Sequence, residues 1–285
     1  MMKKKAIIVV SFGTSYQEAL KNSIEKIEED IKREFPEYDH FRAFTAHMII
    51  NKMEKVYGIH VNTPEETLRD LYNEGYEEVI MQPLHMIPGE EFDYIKNVQA
   101  NFKDKFKSLK VGRPILYYQG IEDVDFDYSL FIESIKDILD SHENVVFFGH
   151  GTSHPASSAY SCLQVVLEEE GYDNAFVGTV EGHPTLDSVI KRLKRRNINE
   201  VLLLPLMVVC GDHVLNDMAS DEEDSWKTIL ESEGIKVNLF LKGLGEIEDF
   251  RKLYVNRVHN TINDTFKGVG ETKKGKQNEN FSLVI

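Results

Sequence analysis

The sequence is poor in cysteine and in basic residues. Its 285 residues include two cysteines, Cys162 and Cys210, which are too few for a disulfide framework or a thiolate zinc cluster and indicate a reducing compartment. Lys and Arg number 33 against 48 Asp and Glu, so the formal net charge is -15. A field of that sign repels nucleic-acid backbones and anionic membrane surfaces. We therefore expect neither nucleic acid nor membrane as a partner.

Long apolar runs are also absent. Residues 201–210 form an apolar run that contains Pro205 and is shorter than the roughly 18 residues needed to span a bilayer. The basic start of the chain resembles a signal peptide, but the apolar run after it, residues 6–10, is short and no small-residue cleavage site follows. We interpret residues 5–11 as a first buried strand and expect a cytoplasmic protein.

Motifs for nucleotide binding and hydrolysis are missing. Residues 270–277 fit part of a phosphate-binding loop, but the motif ends in Gln277, follows no predicted strand and precedes too little chain for a helix. The first strand is not followed by G-x-G-x-x-G, and the chain has neither H-E-x-x-H nor G-x-S-x-G. Dinucleotide, zincin and esterase interpretations lose their simplest support.

Short apolar runs alternate with longer amphipathic segments, which is typical of βαβ units and a parallel sheet. The eight predicted strands are 5–11, 40–44, 78–83 and 114–118 in the first half, and 144–148, 175–180, 200–205 and 236–241 in the second. Residues 16–35 and 63–74 have helical spacing between strands. The second of these opens with Thr63 as N-cap, Pro64 at the first helical position and Glu66 in a capping box.

The two halves of the chain resemble each other. Residues 11–15 (SFGTS) leave the first strand as residues 149–153 (GHGTS) leave the fifth, and 81–85 (MQPLH) correspond to 203–207 (LLPLM). Either two parallel-sheet domains share turn chemistry by chance, or the chain is a duplication, which we favour. Duplication predicts two similar domains, 1–125 and 126–245, whose carboxyl-end loops face one cleft. A last helix, 246–266, is expected to pack back on one domain, and 267–285 to form a flexible tail.

Imidazoles and carboxylates follow the predicted strand ends, where α/β proteins place their chemistry. His150 and Glu181 come directly after strands, His213 follows a strand by one short loop, and Glu91 has the corresponding place in the first half. Each alone fits an ordinary structural or solvated role. Together they offer nitrogen and oxygen ligands without thiolate, which suits a divalent first-row metal held reversibly.

Three further histidines have open roles. His154 lies four residues after His150 and is either its partner or a substrate contact. His183, before Pro184, either shapes a loop or acts directly, and His85 falls near the predicted cleft.

Several segments together resemble the anaerobic sirohydrochlorin cobaltochelatases of the cobalamin pathway, a family of class II chelatases. These segments are 11–15, 42–45, 84–85 with 89–91, 149–154, 211–221 and 224–226. The resemblance covers residues 3–266, with the tail departing from it. It implies an α/β fold of two similar flavodoxin-like domains, each with a four-stranded parallel sheet flanked by helices, and a cleft between them that holds a tetrapyrrole. It also implies insertion of cobalt(II), the substrate metal, without ATP or an organic cofactor.

The resemblance assigns roles to the matching positions. His150 is implied as metal ligand and proton acceptor, His213 as second histidine ligand, Glu181 as carboxylate ligand, and Glu91 as a metal or proton relay. Substrate contacts are expected from Ser11, Phe12, Gly13, Thr14, His85 and His154.

Other readings stay open alongside this one. Related chelatases insert iron or nickel, so the metal is not fixed by the motifs. Two alternatives differ in the kind of function. One is a carrier that holds a metal or metallo-tetrapyrrole without turnover, and the other is a metal-assisted hydrolase. A homo-oligomer is possible.

The carboxylates of sirohydrochlorin need local positive charge in this acidic protein. The helix N-termini after residues 11–15 and 151–153 offer backbone N–H groups for this purpose, and Arg42 or Lys52 would add charge.

Overall fold

Two parallel sheets form the framework of the molecule. The computed structural model describes residues 4–120 and 126–269. The first sheet contains β1 (Lys5–Ser11), β2 (Asp39–Phe44), β3 (Glu78–Pro83) and β4 (Ser108–Val111), and the second contains β5 (Val145–Gly151), β6 (Ala175–Glu181), β7 (Glu200–Pro205) and β8 (Lys236–Leu239). Their orders are β2-β1-β3-β4 and β6-β5-β7-β8, and all pairs are parallel. This is the start of the flavodoxin-like order, so the predicted fold class is confirmed.

Helices cover both faces of each sheet. They are α1 (Gln17–Ala19), α2 (Glu25–Glu34), α3 (His47–Tyr57), α4 (Pro64–Asn73), α5 (Glu90–Phe102), α6 (Asp127–Ser134), α7 (Lys136–Ser141), α8 (Ser158–Glu169), α9 (Leu186–Arg195), α10 (Trp226–Ser232) and α11 (Glu248–Ile262). Alternate residues of β1 enter different cores: Ile7 and Val9 one, Ile8 and Val10 the other. Strands buried on both faces read as continuous apolar runs, which explains why β1 was recognisable from its sequence.

The two predicted helices are confirmed, and the first differs in detail. Thr63 caps α4, with the reciprocal bonds to Glu66 that define a capping box. The segment predicted as one helix over 16–35 consists of α1, a π-helical turn at Leu20–Ile24, and α2.

Equivalent hydrogen bonds recur in the two halves. The amide of Leu84 donates to the carbonyl of Val10 over 2.7 Å, and that of Leu206 donates to the carbonyl of Phe148 over 2.8 Å. Each bond ties the residue after the third strand of a half to its first strand. The same hydrogen bond at the same place in both halves supports the duplication inferred from the sequence.

The predicted fourth strand, 114–118, is wrong. The strand is β4, Ser108–Val111, which pairs with β3. Ile115 and Leu116 are fully buried, but their amides donate to the carbonyls of His85 (3.2 Å) and Met86 (2.8 Å), beyond the end of β3. The apolar run therefore reflects burial under the sheet edge and not a place in the ladder.

Helix α11 lies against the first half of the chain. The Tyr254 hydroxyl donates to the carbonyl of Leu84 over 2.9 Å, and Arg251 Nε donates to Asp30 over 2.6 Å. The domain boundaries stay predictions. Residues 121–125 of the proposed junction and 270–285 of the tail, with the phosphate-loop-like motif, lie outside the described residues.

Membrane-spanning helices are absent from the part of the chain that the structure describes, since none is both long and apolar enough. Cys162 and Cys210 are free thiols, and both are half-buried.

Candidate active site

Two histidines meet at the carboxyl ends of β5 and β7. His150 is the penultimate residue of β5, and the strand residues before it are buried. His213 directly precedes a π-helical turn, Val214–Met218. Their Nε2 atoms are 3.1 Å apart, and the ring centroids are 4.5 Å apart with planes at 89°. The His150 ring is half-buried and the His213 ring is exposed, so the pair is open to a ligand.

The outer nitrogens of the two rings determine their tautomers. His150 Nδ1 lies 3.0 Å from the carbonyl oxygen of Gly151, and His213 Nδ1 lies 2.5 Å from Asp217 Oδ2. A carbonyl and a carboxylate only accept, so each neutral ring carries its hydrogen on Nδ1. Both Nε2 lone pairs then face each other. Such a pair is favourable when it shares a proton or binds a metal cation.

Glu181 ends β6 beside the histidine pair. Its backbone pairs in register with Gly151, the neighbour of His150, and its side chain is exposed. Among residues 4–120 and 126–269, however, no three His, Cys, Asp or Glu side chains lie close enough together to hold a metal ion. The structure thus brings His150 and His213 together, and a third ligand from Glu181 stays a prediction that requires its side chain to turn toward them.

Gly151 is required by this close approach of β5 and β6. Its φ is +84°, and a Cβ there would lie 1.6 Å from the Glu181 carbonyl oxygen. We expect Gly151→Ala to separate the strand ends, move His150 away from His213, and lower the free energy of unfolding in urea. Gly171→Ala is the matched control, because Gly171 has φ +90° with open space around it. Backbone strain alone, about 1–2 kcal/mol, is expected there, and equal losses in the two variants would contradict the steric account.

The loop after β1 in the first half corresponds to the loop after β5 in the second half. Ser11 and Thr14 are buried, Phe12 is 47% exposed, and Gly13 has φ +94° with the Phe44 ring against it. Thr14 Oγ1 accepts from the amide of Tyr16 over 3.2 Å. The loop after β5 repeats this turn, since Gly151 has φ +84° and Thr152 Oγ1 accepts from the amide of His154 over 3.0 Å.

One contact between the halves joins that loop to the approach of His213. The Tyr16 hydroxyl donates to Asp212 Oδ1 over 2.6 Å. The bond raises the pKa of Tyr16 and lowers that of Asp212. Lys52 Nζ lies 5.7 Å from the centre of the Tyr16 ring, which places this exposed cation at the same junction.

A second contact between the halves mirrors the first. Ser153 Oγ donates to Glu90 Oε1 over 3.2 Å, and His154 Nε2 lies 3.2 Å from Asp93 Oδ2. The pKa of Asp93 is lowered, mainly by its hydrogen bond from Lys96 and also by His154. All these residues follow strand carboxyl ends or begin the next helix, so the carboxyl edges of the two sheets face each other across the histidine pair.

His85 and Glu91 are placed less directly. Both ring nitrogens of His85 are shielded from solvent without a hydrogen-bond partner among the described residues, and burial lowers the pKa of His85 to about 4. Neither nitrogen is accessible to a ligand in this conformation. Glu91 is half-buried in the first turn of α5, where its neighbour Glu90 makes the contact with Ser153. The roles of His85 and Glu91 stay predictions.

Arg42 does not supply free positive charge. It forms a two-pronged ion pair with Glu28, with a further bond to Glu25. Together with residues 59–62, these side chains line a polar pocket of about 640 Å³ along β2. Of the two candidate cations, Lys52 is therefore the one placed beside the facing loops.

Sequence reasoning missed the partners of the site residues. Asp217, Tyr16, Asp212 and Asp93 were given no role. A signal existed for Asp217 alone, since residues four apart on a helical turn share a face.

The fold, two similar four-stranded parallel sheets with flanking helices, is that of solved class II chelatases. The solved structure of SirB from Bacillus subtilis with Fe3+ superposes with a TM-score of 0.61 at 17% identity, covering 92% of this chain and 97% of that one. At this identity the likeness shows the fold alone.

Sequence comparison identifies the family. The model described as cobalt chelatase (CbiK) matches residues 5–263, and the chain belongs to this family. The sirohydrochlorin cobaltochelatase of Salmonella typhimurium is 39% identical over 263 residues, which are 91% of this chain and 97% of that protein. Sirohydrochlorin cobaltochelatase CbiKC of Nitratidesulfovibrio vulgaris is 30% identical over 259 residues, 90% of each chain.

Proposed function

We propose that the protein inserts cobalt(II) into sirohydrochlorin, without ATP or an organic cofactor, in the anaerobic route to cobalamin in the cytoplasm. The observation that carries the proposal is the His150–His213 pair, whose Nε2 atoms face each other at 3.1 Å. Membership of the cobalt chelatase family and the names of two relatives that match nearly the whole chain support it.

The reaction needs bases beside the ring nitrogens of the macrocycle. When a divalent cation enters a free-base tetrapyrrole, two pyrrole N–H bonds break and two protons leave, so charge is conserved. Imidazole is the side chain whose ordinary pKa suits proton acceptance near neutral pH. We assign proton acceptance to His150 Nε2, since the Nδ1–H of this ring is held by the Gly151 carbonyl. Nε2 acts as the base once it no longer binds the metal, and it accepts one pyrrole proton at a time and passes each to solvent, to which the half-buried ring is open.

The same pair suits delivery of the metal. Metal–imidazole bonds of about 2.0–2.1 Å, as for zinc, place two neighbouring ligand nitrogens about 3.0–3.4 Å apart, and the Nε2 atoms already have such a separation. Two imidazoles, with Glu181 as a third donor, hold cobalt less completely than a closed thiolate cage. The metal can then pass to the macrocycle.

The substrate contacts are proposed on the loops that surround the pair. Ser11, Phe12, Gly13 and Thr14 are proposed from the loop after β1, and His154 from the loop after β5. A contact from His85 requires its buried ring to turn outward, and Glu91 is proposed as the metal or proton relay. The exposed Phe12 ring offers an apolar surface to the macrocycle. Lys52 and the backbone amides at the helix starts would bind its carboxylates.

The direct test is an anaerobic assay of the purified protein with sirohydrochlorin and cobalt(II). Metallation changes the optical spectrum, so the rate is compared with the uncatalysed rate in a no-enzyme control. Acceleration with turnover supports the proposal. Binding of the tetrapyrrole or metal without acceleration would contradict it and identify a carrier. Parallel assays with iron(II) and nickel(II) determine which metal is preferred.

His213→Ala and Glu181→Ala are expected mainly to impair metal use. Loss of an outer partner of a ligand commonly costs 10–100-fold in metal affinity, so loss of His213 itself should raise the KM for cobalt(II) by at least about tenfold. The measurement is initial rate against cobalt concentration at saturating sirohydrochlorin. His60→Ala and Glu223→Ala remove exposed side chains as controls. Unchanged metal dependence in either site variant would remove that residue from the ligand set.

A further inference from the structure

The two histidines of the pair differ in how their outer nitrogens are held. His150 Nδ1 bonds to a backbone carbonyl, that of Gly151. His213 Nδ1 instead bonds to a side chain, Asp217, at 2.5 Å. The tautomer of His213 therefore depends on one replaceable carboxylate.

The local backbone holds Asp217 in place. His213 directly precedes the π-helical turn Val214–Met218, and Asp217 lies four residues later, within the turn. Val214 and Met218 are fully buried, which anchors the turn, while the side chains of His213 and Asp217 remain 47% and 43% exposed. Single π-helical turns occur frequently at functional sites. Here the turn presents one buried face to the core and the His213–Asp217 pair to the cleft.

We propose that Asp217 is the positioning residue of the site: by accepting the Nδ1 hydrogen of His213, it keeps the Nε2 lone pair of that ring directed at His150 and available to the incoming cobalt. The inference rests on the proposed function in one respect, that His213 binds the metal. Carboxylates that accept from the second nitrogen of a ligating histidine fix its tautomer and orientation and raise its basicity.

A purely structural ion pair is the competing explanation. Exposed ion pairs contribute little to stability, about 0–1 kcal/mol. If the His213–Asp217 contact were only such a pair, its loss would change folding little, and the His213 ring would still bind metal in either tautomer. The experiment must therefore observe the tautomer and cobalt binding separately from folding and turnover.

The first measurement is 15N NMR of the metal-free, full-length protein with labelled histidine, at about pH 8.5, where ordinary histidines are neutral. His213 is assigned from its variant. We expect the Nδ1–H form in the wild type and predominantly the Nε2–H form in Asp217→Ala. Asp221→Ala is the matched control, because Asp221 is an exposed aspartate of the same segment that binds Lys227 instead.

The second measurement is titration with cobalt(II) alone, followed by the insertion assay. Asp217→Ala should weaken cobalt binding and raise the KM for cobalt(II) by about 10–100-fold, with the KM for sirohydrochlorin unchanged. Asp217→Glu, which keeps a carboxylate acceptor, should recover part of the loss. Asp221→Ala should behave as wild type in both measurements.

Two results would overturn the inference: a wild-type His213 that carries its hydrogen on Nε2, or an Asp217→Ala variant that binds cobalt as tightly as the wild type. Neither readout requires turnover. If the wild type showed no insertion, the proposed function would fail, while the tautomer and the cobalt titration would still decide the role of Asp217.

Discussion

His150→Ala is expected to lose nearly all cobalt insertion and to keep sirohydrochlorin binding. The substitution removes the base assigned to the pyrrole protons and one of the two facing nitrogens, while the tetrapyrrole contacts proposed on the surrounding loops remain. General base catalysis typically contributes 10²–10⁴-fold, so kcat should fall by about that factor. Initial rates of metallation give kcat, and optical titration without metal gives the affinity for sirohydrochlorin.

His142→Ala is the matched control for this variant. His142 lies in the same half, just before β5, and bonds to the carbonyl of Ile138 away from the histidine pair. It should insert cobalt at the wild-type rate. Activity of His150→Ala within a few-fold of wild type would remove His150 from the mechanism, whereas equal loss of sirohydrochlorin binding would assign the ring to substrate binding instead.

The sequence predicted the placement of His150 well because burial and topology act together. The two central strands of each half, β1 and β3 and then β5 and β7, are buried nearly throughout. Strands buried on both faces are typical of parallel sheets, and parallel pairing puts the residues that follow the strands at one edge. The predicted end of β5 was Phe148, whereas the strand continues to Gly151 through its pairing with Glu181. The end of β5 at Gly151 is set by its pairing with β6, so it could not be predicted from the residues of β5 alone.

Side-chain partners were the less predictable part. Glu91 was chosen because it aligns with His213 in the other half, but it is Glu90 that bonds to Ser153. Duplication of the backbone preserves the position of a residue along its helix, and apolar patterning predicts that position. Which side chain contacts the other half depends on how the two halves are placed relative to each other, and apolar patterning contains no information on that placement.

Asp127 shows the same limit in the core. In the sequence Asp127 follows Glu122, Asp123 and Asp125, and such an acidic run predicts an exposed connection between the two domains. In the structure its side chain is fully buried, and both carboxylate oxygens accept from Arg113 over 2.9 Å. Arg257 of α11 lies 2.9 Å from Oδ1. The counter-charge comes from residues far along the chain, and no local pattern shows it.

Asp127→Ala is therefore expected to cause a large loss of stability. The substitution leaves the guanidinium groups of Arg113 and Arg257 buried without this carboxylate, and it removes the acceptor of the Tyr118 amide. Breaking a buried ion pair by removing one partner typically costs about 3–5 kcal/mol. Equilibrium unfolding in urea, followed by far-ultraviolet circular dichroism, measures the change.

Asp127→Asn and Asp137→Ala separate charge from other effects. Asn keeps the shape and an acceptor but not the charge, so its loss should be smaller than that of Ala. Asp137 lies in the first turn of the next helix, α7, and is exposed, so Asp137→Ala should unfold near the wild-type midpoint. Because Asp127 joins the start of α6 to Arg113 of the first half and Arg257 of α11, a large loss would mean that one buried carboxylate ties the final helix and the second half to the first. A loss within about 1 kcal/mol, as for exposed pairs, would contradict this.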